Sequence, residues 1–144
     1  MPRPQIVVAD TVTPEVAQVI RGGLEAFNDA RTGQPDRLPL SVVACDSTSG
    51  AVLGGALGRS SLGLLFLDLL WLPEEMRGNG LGREILGRFE TEGVRRGCIA
   101  GVVYTISFQA PGFYERCGWQ RFGEVASLPD GTSRIFLTKR LQAA

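Results

Sequence analysis

The stretch Arg77-Gly78-Asn79-Gly80-Leu81-Gly82 has the composition of an anion cradle. Before it runs the most apolar segment of the chain, Leu62 to Leu72, which reads as a buried strand. After it, Leu81, Ile85, Leu86 and Phe89 recur at helical spacing. The glycines therefore join a strand to a helix start, where unpaired N–H groups and the positive end of the helix dipole favour phosphate. Gly78, Gly80 and Gly82 have no Cβ to hold an anion off those amides, and Arg77 adds a fixed positive charge. The spacing is neither a Walker A loop, since no Gly-Lys-Ser/Thr follows, nor the dinucleotide fingerprint Gly-x-Gly-x-x-Gly. A tight connection without a ligand is the plain alternative. For proton transfer the chain offers carboxylates and tyrosines but no histidine, which excludes Ser-His-Asp and Cys-His catalysis and every histidine-containing zinc site within it.

The elements that must position these residues follow from periodicity. Gln5 to Ala9 is a β-branched run that predicts a first strand. Thr13-Pro14 predicts an N-cap and first helical residue, and Val16, Val19, Ile20, Leu24 and Phe27 continue at helical period. Gly22 and Gly23, at about 1 kcal/mol each against alanine, predict a bend or two short helices. Leu40 to Asp46 and Ala51 to Arg59 read as a hairpin, Leu64 to Leu72 as the buried strand, and Leu81 to about Arg96 as the helix after the loop. On that helix Glu84/Arg88, Arg88/Glu92 and Glu92/Arg96 stand four apart. Cys98 to Thr105 is the next strand, Ser107 is placed to cap a short helix from Ala110 to Cys117, and Trp119 to Val125 with Ser133 to Lys139 form a last hairpin.

At 144 residues the chain reads as one domain, residues 1–144, with no internal repeat or linker. Fifteen basic and fifteen acidic residues cancel, so no global field points to nucleic acid or a membrane surface. The three cysteines lack metal-type spacing and read as buried thiols in a reducing cytoplasm, with no metal site. The run Leu62 to Leu72 is too short to span a bilayer and contains Asp68. No targeting segment is evident, so a cytoplasmic location is expected.

The loop resembles the Arg-x-x-Gly-x-Gly signature of the GNAT acetyltransferase superfamily, and the order of elements is similar across nearly the whole chain. Ser107 to Trp119 resembles that family's Asn-x-x-Ala-x-x-Phe-Tyr-x-x-x-Gly-Phe segment, with serine in place of asparagine and Trp119 in place of phenylalanine. The resemblance implies an α/β (α+β) fold: a mixed, mostly antiparallel sheet of about seven strands flanked by helices. It implies a sheet splayed between strands four and five, here Leu64 to Leu72 and Cys98 to Thr105. Acetyl-CoA would enter that gap as cosubstrate, its diphosphate on Arg77, Gly78, Asn79, Gly80, Leu81 and Gly82. Backbone N–H groups around Leu70, Trp71 and Leu72 would hold pantetheine and polarise the acetyl carbonyl. Ser107 would offer one hydrogen bond to pantetheine, and Tyr114 would stand beside the thioester sulfur. A homodimer is a further family-level expectation.

Acetyl transfer needs a neutral acceptor amine, and an amine of pKa near 10.4 is about 3.4 units too basic at pH 7, about 4.6 kcal/mol. Desolvation or a nearby base must offset that, and with no histidine in the chain a carboxylate or carboxylate-bound water is the candidate base. Asp68, the sole charge within Leu64 to Leu72, is the candidate; alternation places it on the face of Leu70 and Leu72 unless a bulge intervenes. Glu25 and Asp29 are weaker candidates. The competing readings are a structural Asp68 paired with an arginine, and Phe113 and Tyr114 as core aromatics. The reaction read here is direct transfer from acetyl-CoA to a primary amine, on a small molecule or on protein lysines or N-termini. A non-catalytic acyl-CoA-binding or interaction module is the alternative from another class, and loop spacing disfavours a nucleotide-binding regulator.

Overall fold

The computed structural model describes residues 2–142, which divide into two compact units between Asp36 and Arg37. The first contains a single regular element, α1 (Pro14–Thr32). Thr13 caps it as expected, its Oγ1 accepting the Val16 N–H at 3.2 Å. Gly33 closes it at φ 84°, its N–H donating to the Asp29 carbonyl. The expected bend is absent, and α1 runs unbroken through Gly22 and Gly23. Glycine lowers helix propensity but keeps its N–H, so the hydrogen-bond ladder passes through it. No α1 side chain is buried: Val19, Ile20, Leu24 and Phe27 all lie exposed. The strand expected over Gln5–Ala9 does not form. This unit has no other strand to take its N–H and C=O groups, and β-propensity alone cannot satisfy a ladder.

The second unit is a six-stranded sheet in the order β1-β2-β3-β4-β6-β5. Its strands are β1 (Arg37–Cys45), β2 (Val52–Ser61), β3 (Leu64–Trp71), β4 (Ala100–Ile106), β5 (Gln120–Ala126) and β6 (Ser133–Arg140). The helix α2 (Leu81–Arg95) links β3 to β4, and α3 (Pro111–Arg116) links β4 to β5. Every neighbouring pair is antiparallel except β3–β4, which the α2 crossover makes parallel. The sheet thus has six strands, one fewer than the expected seven, because Gln5–Ala9 forms none.

One sheet face is the core. Ala56, Leu65, Leu67, Val103, Ile135 and Leu137 are buried with Ile85, Leu86 and Phe89 of α2. Gly58 admits this packing: a Cβ there would fall 2.7 Å from the Phe89 ring and 1.9 Å from the Phe66 carbonyl oxygen. Beside it, the register slips between Leu57 and Gly58, which oppose Leu69 and Leu67, so Asp68 is the extra residue of a bulge.

The far end of α2 is fixed by Arg96, which donates to the carbonyls of Leu38 and Pro39, the Ser60 hydroxyl and Glu92. Glu84–Arg88 pairs at 3.0 Å as read from spacing, and Glu92 pairs with Arg96 at 2.9 Å. Glu92 also takes Arg95, whereas an Arg88–Glu92 bridge is not formed. Hydrogen bonds from Arg95 and Arg96 hold the Glu92 carboxyl down at about 2. Cys98 is buried as expected, Cys117 is partly so, and Cys45 is exposed because it ends β1 on an edge strand.

Candidate active site

Between β3 and α2 the chain makes one 3₁₀ turn, Glu74–Met76, and then the glycine loop. Arg77 Nε donates to the Leu72 carbonyl at 2.9 Å, lashing the loop back to the end of β3. The arginine therefore shapes the loop with one of its nitrogens while keeping its charge at the mouth. Gly78 and Gly80 sit at φ 83° and 87°, in the left-handed region where a side chain is strained. A Cβ on either would meet nothing within 4 Å, so the space above both is open.

The helix ladder begins with the Glu84 N–H donating to the Gly80 carbonyl. The N–H groups of Leu81, Gly82 and Arg83 precede it and point off the helix end. Asn79 Oδ1 accepts the Leu81 N–H at 3.2 Å, leaving the Gly82 and Arg83 amides as the outward donors of the helix end. Gly82 faces α3 and the residue after β3 with ordinary room: a Cβ there would lie 3.6 Å from the Phe113 ring and 3.8 Å from the Leu72 side chain.

The sheet opens beside this loop. Strands β3 and β4 pair from Leu64↔Ala100 to Leu67↔Val103 and then part. Alternate N–H groups of Asp68–Trp71 consequently face a gap rather than a strand. Leu70 packs partly against the core, Leu72 is buried, and Trp71 is exposed. The side chains of Leu70 and Leu72 thus do structural work, and any ligand role falls to their backbone.

Asp68 stands at the apex of the gap, but the bulge inverts the simple alternation. It lies with Arg59 and Phe66 on the face opposite Leu70 and Leu72. Its Oδ1 accepts from Arg59 Nη1 at 2.7 Å, and the guanidinium lies 4.4 Å over the Phe66 ring. The pair is half exposed, so its worth to stability is about 0–1 kcal/mol. Its geometric effect is larger: Arg59 fixes the carboxylate and leaves Oδ2 directed elsewhere.

Tyr114 is buried on α3, its ring edge-on to Phe113 at 5.4 Å and to Trp119 at 6.1 Å. Burial, and secondarily the nearby Cys117 thiol, pushes its phenol up to about 12. The ring is a core aromatic whatever its hydroxyl does. Ser107 does not cap α3, whose N-cap is Ala110 with no side-chain hydrogen bond. Its Oγ instead accepts the Ser133 N–H at 3.0 Å, and its own N–H donates to the Ser133 carbonyl. The hydroxyl proton is left for another acceptor.

Sequence reasoning missed three positioning residues. Gln109 Oε1 accepts from the Ile106 N–H and the Thr105 hydroxyl, shaping the turn after β4. Lys139 donates to Glu90 at 2.7 Å and to the Cys117 carbonyl at 2.8 Å, and Glu90 also accepts the Trp119 indole N–H. The Lys139 and Glu90 bonds tie α2, α3 and β6 together across gaps of more than twenty residues in sequence, so no local spacing announces those two; Gln109 acts on partners three and four positions away. A cavity of about 410 Å³ lined by Ile99, Gly118, Thr138 and Lys139 lies at the opposite end of β4 and holds none of the expected site residues.

An open left-handed glycine turn beside two diverging parallel strands is the arrangement that the sequence resemblance implies. The acetyltransferase (GNAT) family model matches residues 14–119. The chain belongs to the GNAT family. An Agrobacterium fabrum acetyltransferase, Atu2258, is 34% identical over 134 residues, covering 93% of this chain and 97% of the relative. The blasticidin-S acetyltransferase of Streptomyces morookaense is 36% identical over 114 residues, covering 77% and 84%. A crystal structure from Agrobacterium tumefaciens superimposes with a TM-score of 0.88 at 34% identity, covering 95% of this chain and 99% of that one. This GNAT chain is therefore an acyltransferase, with the family's mixed, mostly antiparallel open sheet. Among the described residues no group of three or more His, Cys, Asp or Glu is placed to hold a metal ion, and no helix is long and apolar enough to cross a membrane.

Proposed function

We propose that this GNAT chain transfers an acetyl group from acetyl-CoA to the primary amine of a small molecule by direct attack. The observation that carries the reading is the open space over Gly78 and Gly80, next to the point where β3 and β4 part. The residues there fit a diphosphate: two outward amides, a helix N-terminus and the Arg77 guanidinium. An aminoglycoside 6′-N-acetyltransferase of this fold is complexed with coenzyme A. The blasticidin-S acetyltransferase relative supports a small-molecule acceptor.

When bound, the acetyl thioester supplies the electrophilic carbonyl. Gap-facing N–H groups between Asp68 and Trp71 are positioned to polarise a carbonyl oxygen lying between the strands. Asp68, through Oδ2 or a water held by it, takes the proton that the acceptor ammonium must lose before attack. The Tyr114 hydroxyl donates a hydrogen bond to negative charge developing in the gap. Full proton donation from a phenol near 12 to a thiolate of pKa about 8.5 is uphill by about 4.8 kcal/mol, so Tyr114 acts as a hydrogen-bond donor while the C–S bond breaks, and the departing thiolate takes the proton that the acetylated nitrogen sheds. Ser107 has one hydroxyl proton for a pantetheine carbonyl. A homodimer belongs to the same proposal, and light scattering at micromolar concentration tests it.

The experiment is coenzyme A release with a panel of small primary amines. Release that rises with amine concentration, with acetylamine recovered in equal amount, is the expected result. Acetyl-CoA binding without any transfer would favour the non-catalytic module instead.

A further inference from the structure

The sheet face turned away from α2 carries a row of rings beside the gap, Tyr104 and Phe122 exposed and Phe136 half-buried between them. Tyr104 is the first β4 residue past the last β3–β4 pair, and its register partner on β6 is Phe136. Their ring centroids lie 5.7 Å apart. A second bulge, between Arg121 and Gly123, leaves Phe122 alongside, 6.2 Å from Phe136. Arg134 reaches over Tyr104, its guanidinium carbon 5.7 Å from the ring centroid. Tyr104 is 53% and Phe122 58% exposed, and Trp71 on the β3 side of the gap is 59% exposed.

Alternation from buried Val103, Ile135 and Leu137 places Tyr104 and Phe136 on this outer face, the same face as Asp68. The wall and the candidate base therefore share one side of the sheet, at the apex of the gap. Solvent-facing aromatic rings gathered beside the gap and rimmed by a charge are surface of the kind that binding sites use. The rings are tilted 37° and 56° to one another, so they present faces and edges rather than a smooth apolar floor. That surface rewards a flat π-system through stacked and edge contacts more than it rewards a flexible alkyl chain. Arg134 adds a cation that stacks on electron-rich rings.

We propose that Tyr104, Phe136 and Phe122, with Arg134 at the rim, form the acceptor-binding wall, and that the acceptor amine is carried on a flat aromatic or heteroaromatic ring. This inference rests on the acetyl-transfer reading above and adds the substrate class to it. Tyr104 is then a specificity-determining residue.

The test compares 2-phenylethylamine with n-hexylamine as acceptors for the wild-type protein, Tyr104→Ala and Tyr104→Phe. The wild type is expected to show a KM for 2-phenylethylamine about tenfold lower than for n-hexylamine, with kcat much less affected. Tyr104→Phe keeps that ratio, and Tyr104→Ala reduces it to about twofold; acetyl-CoA affinity of each variant reports that it is folded. Equal KM values in the wild type, or an unmoved ratio in Tyr104→Ala, overturn the wall while leaving acetyl transfer standing. Titration of 2-phenylethylamine followed by the aromatic NMR signals of Tyr104 and Phe136 supplies a readout without turnover. Shifts without acetylation of any amine would refute the transfer reading and keep the ring site. No shifts would refute the ring site whatever the activity.

Discussion

Replacing Gly80 with glutamate separates the loop's role in folding from its role in binding. Gly80 sits at φ 87°, so any L-residue there carries about 1–2 kcal/mol of backbone strain. No heavy atom lies within 4 Å of the added Cβ, so steric overlap adds nothing to that figure. For a chain of 144 residues the strain amounts to a Tm decrease of about 3–7 °C, and Gly80→Ala should show the same decrease. The two variants part on the cofactor. A glutamate carboxylate projecting into the open space, about 6 Å from one phosphate charge at an effective dielectric near 20, opposes binding by about 2.8 kcal/mol. That is about a 100-fold weaker Kd, before the space it fills is counted. Isothermal titration with acetyl-CoA, at a temperature well below both transitions, reads the difference. Gly80→Glu binding within twofold of wild type, with the Tm decrease present, would refute diphosphate binding on this turn.

Four further outcomes follow from the same geometry. Tyr114→Phe keeps the buried ring and removes only the hydroxyl, so kcat for acetyl transfer should fall about 10- to 100-fold with the fold intact; an unchanged rate removes the hydroxyl from the chemistry. Because burial raises this phenol to about 12, its contribution to stability is present below pH 10 and is lost as pH rises from 10 to 12, about 2–3 kcal/mol by linkage; the alkaline limb of a Tm–pH curve should flatten in Tyr114→Phe. Glu92 shifts the other way: held near 2 by Arg95 and Arg96, it stabilises above pH 4.5 and loses that effect as pH falls towards 2, so Glu92→Gln should flatten the acid limb. Asp68→Asn should lower kcat/KM about 100-fold at pH 7 while changing stability by no more than about 1 kcal/mol, since the Arg59 pair is half exposed; a large Tm loss with normal turnover would make Asp68 structural.

What could be read from the residues was whatever depended on local backbone chemistry. The glycine turn was legible because left-handed φ values at Gly78 and Gly80 demand that residue type. The cap on α1 was legible because Thr13-Pro14 is a purely local signal. The α2 face was legible because Ile85, Leu86 and Phe89 keep helical period. Features set by distant partners were not. Asp68 loses Leu70 and Leu72 from its face because the register slips at Gly58, ten residues earlier, and turns those two leucines inward. Ser107 looks like a cap beside a helix, yet its oxygen is taken by Ser133, twenty-six positions away. Gln5–Ala9 has strand composition without a neighbouring strand, and composition says nothing about neighbours.

The most direct test of the account is a crystal structure of the chain grown with saturating coenzyme A. The account predicts the diphosphate on the Gly82 and Arg83 amides over Gly78 and Gly80, and the sulfur between β3 and β4 near the Tyr114 hydroxyl. Coenzyme A bound in the cavity by Ile99 and Lys139, with the glycine turn closed by a neighbouring side chain, would contradict it.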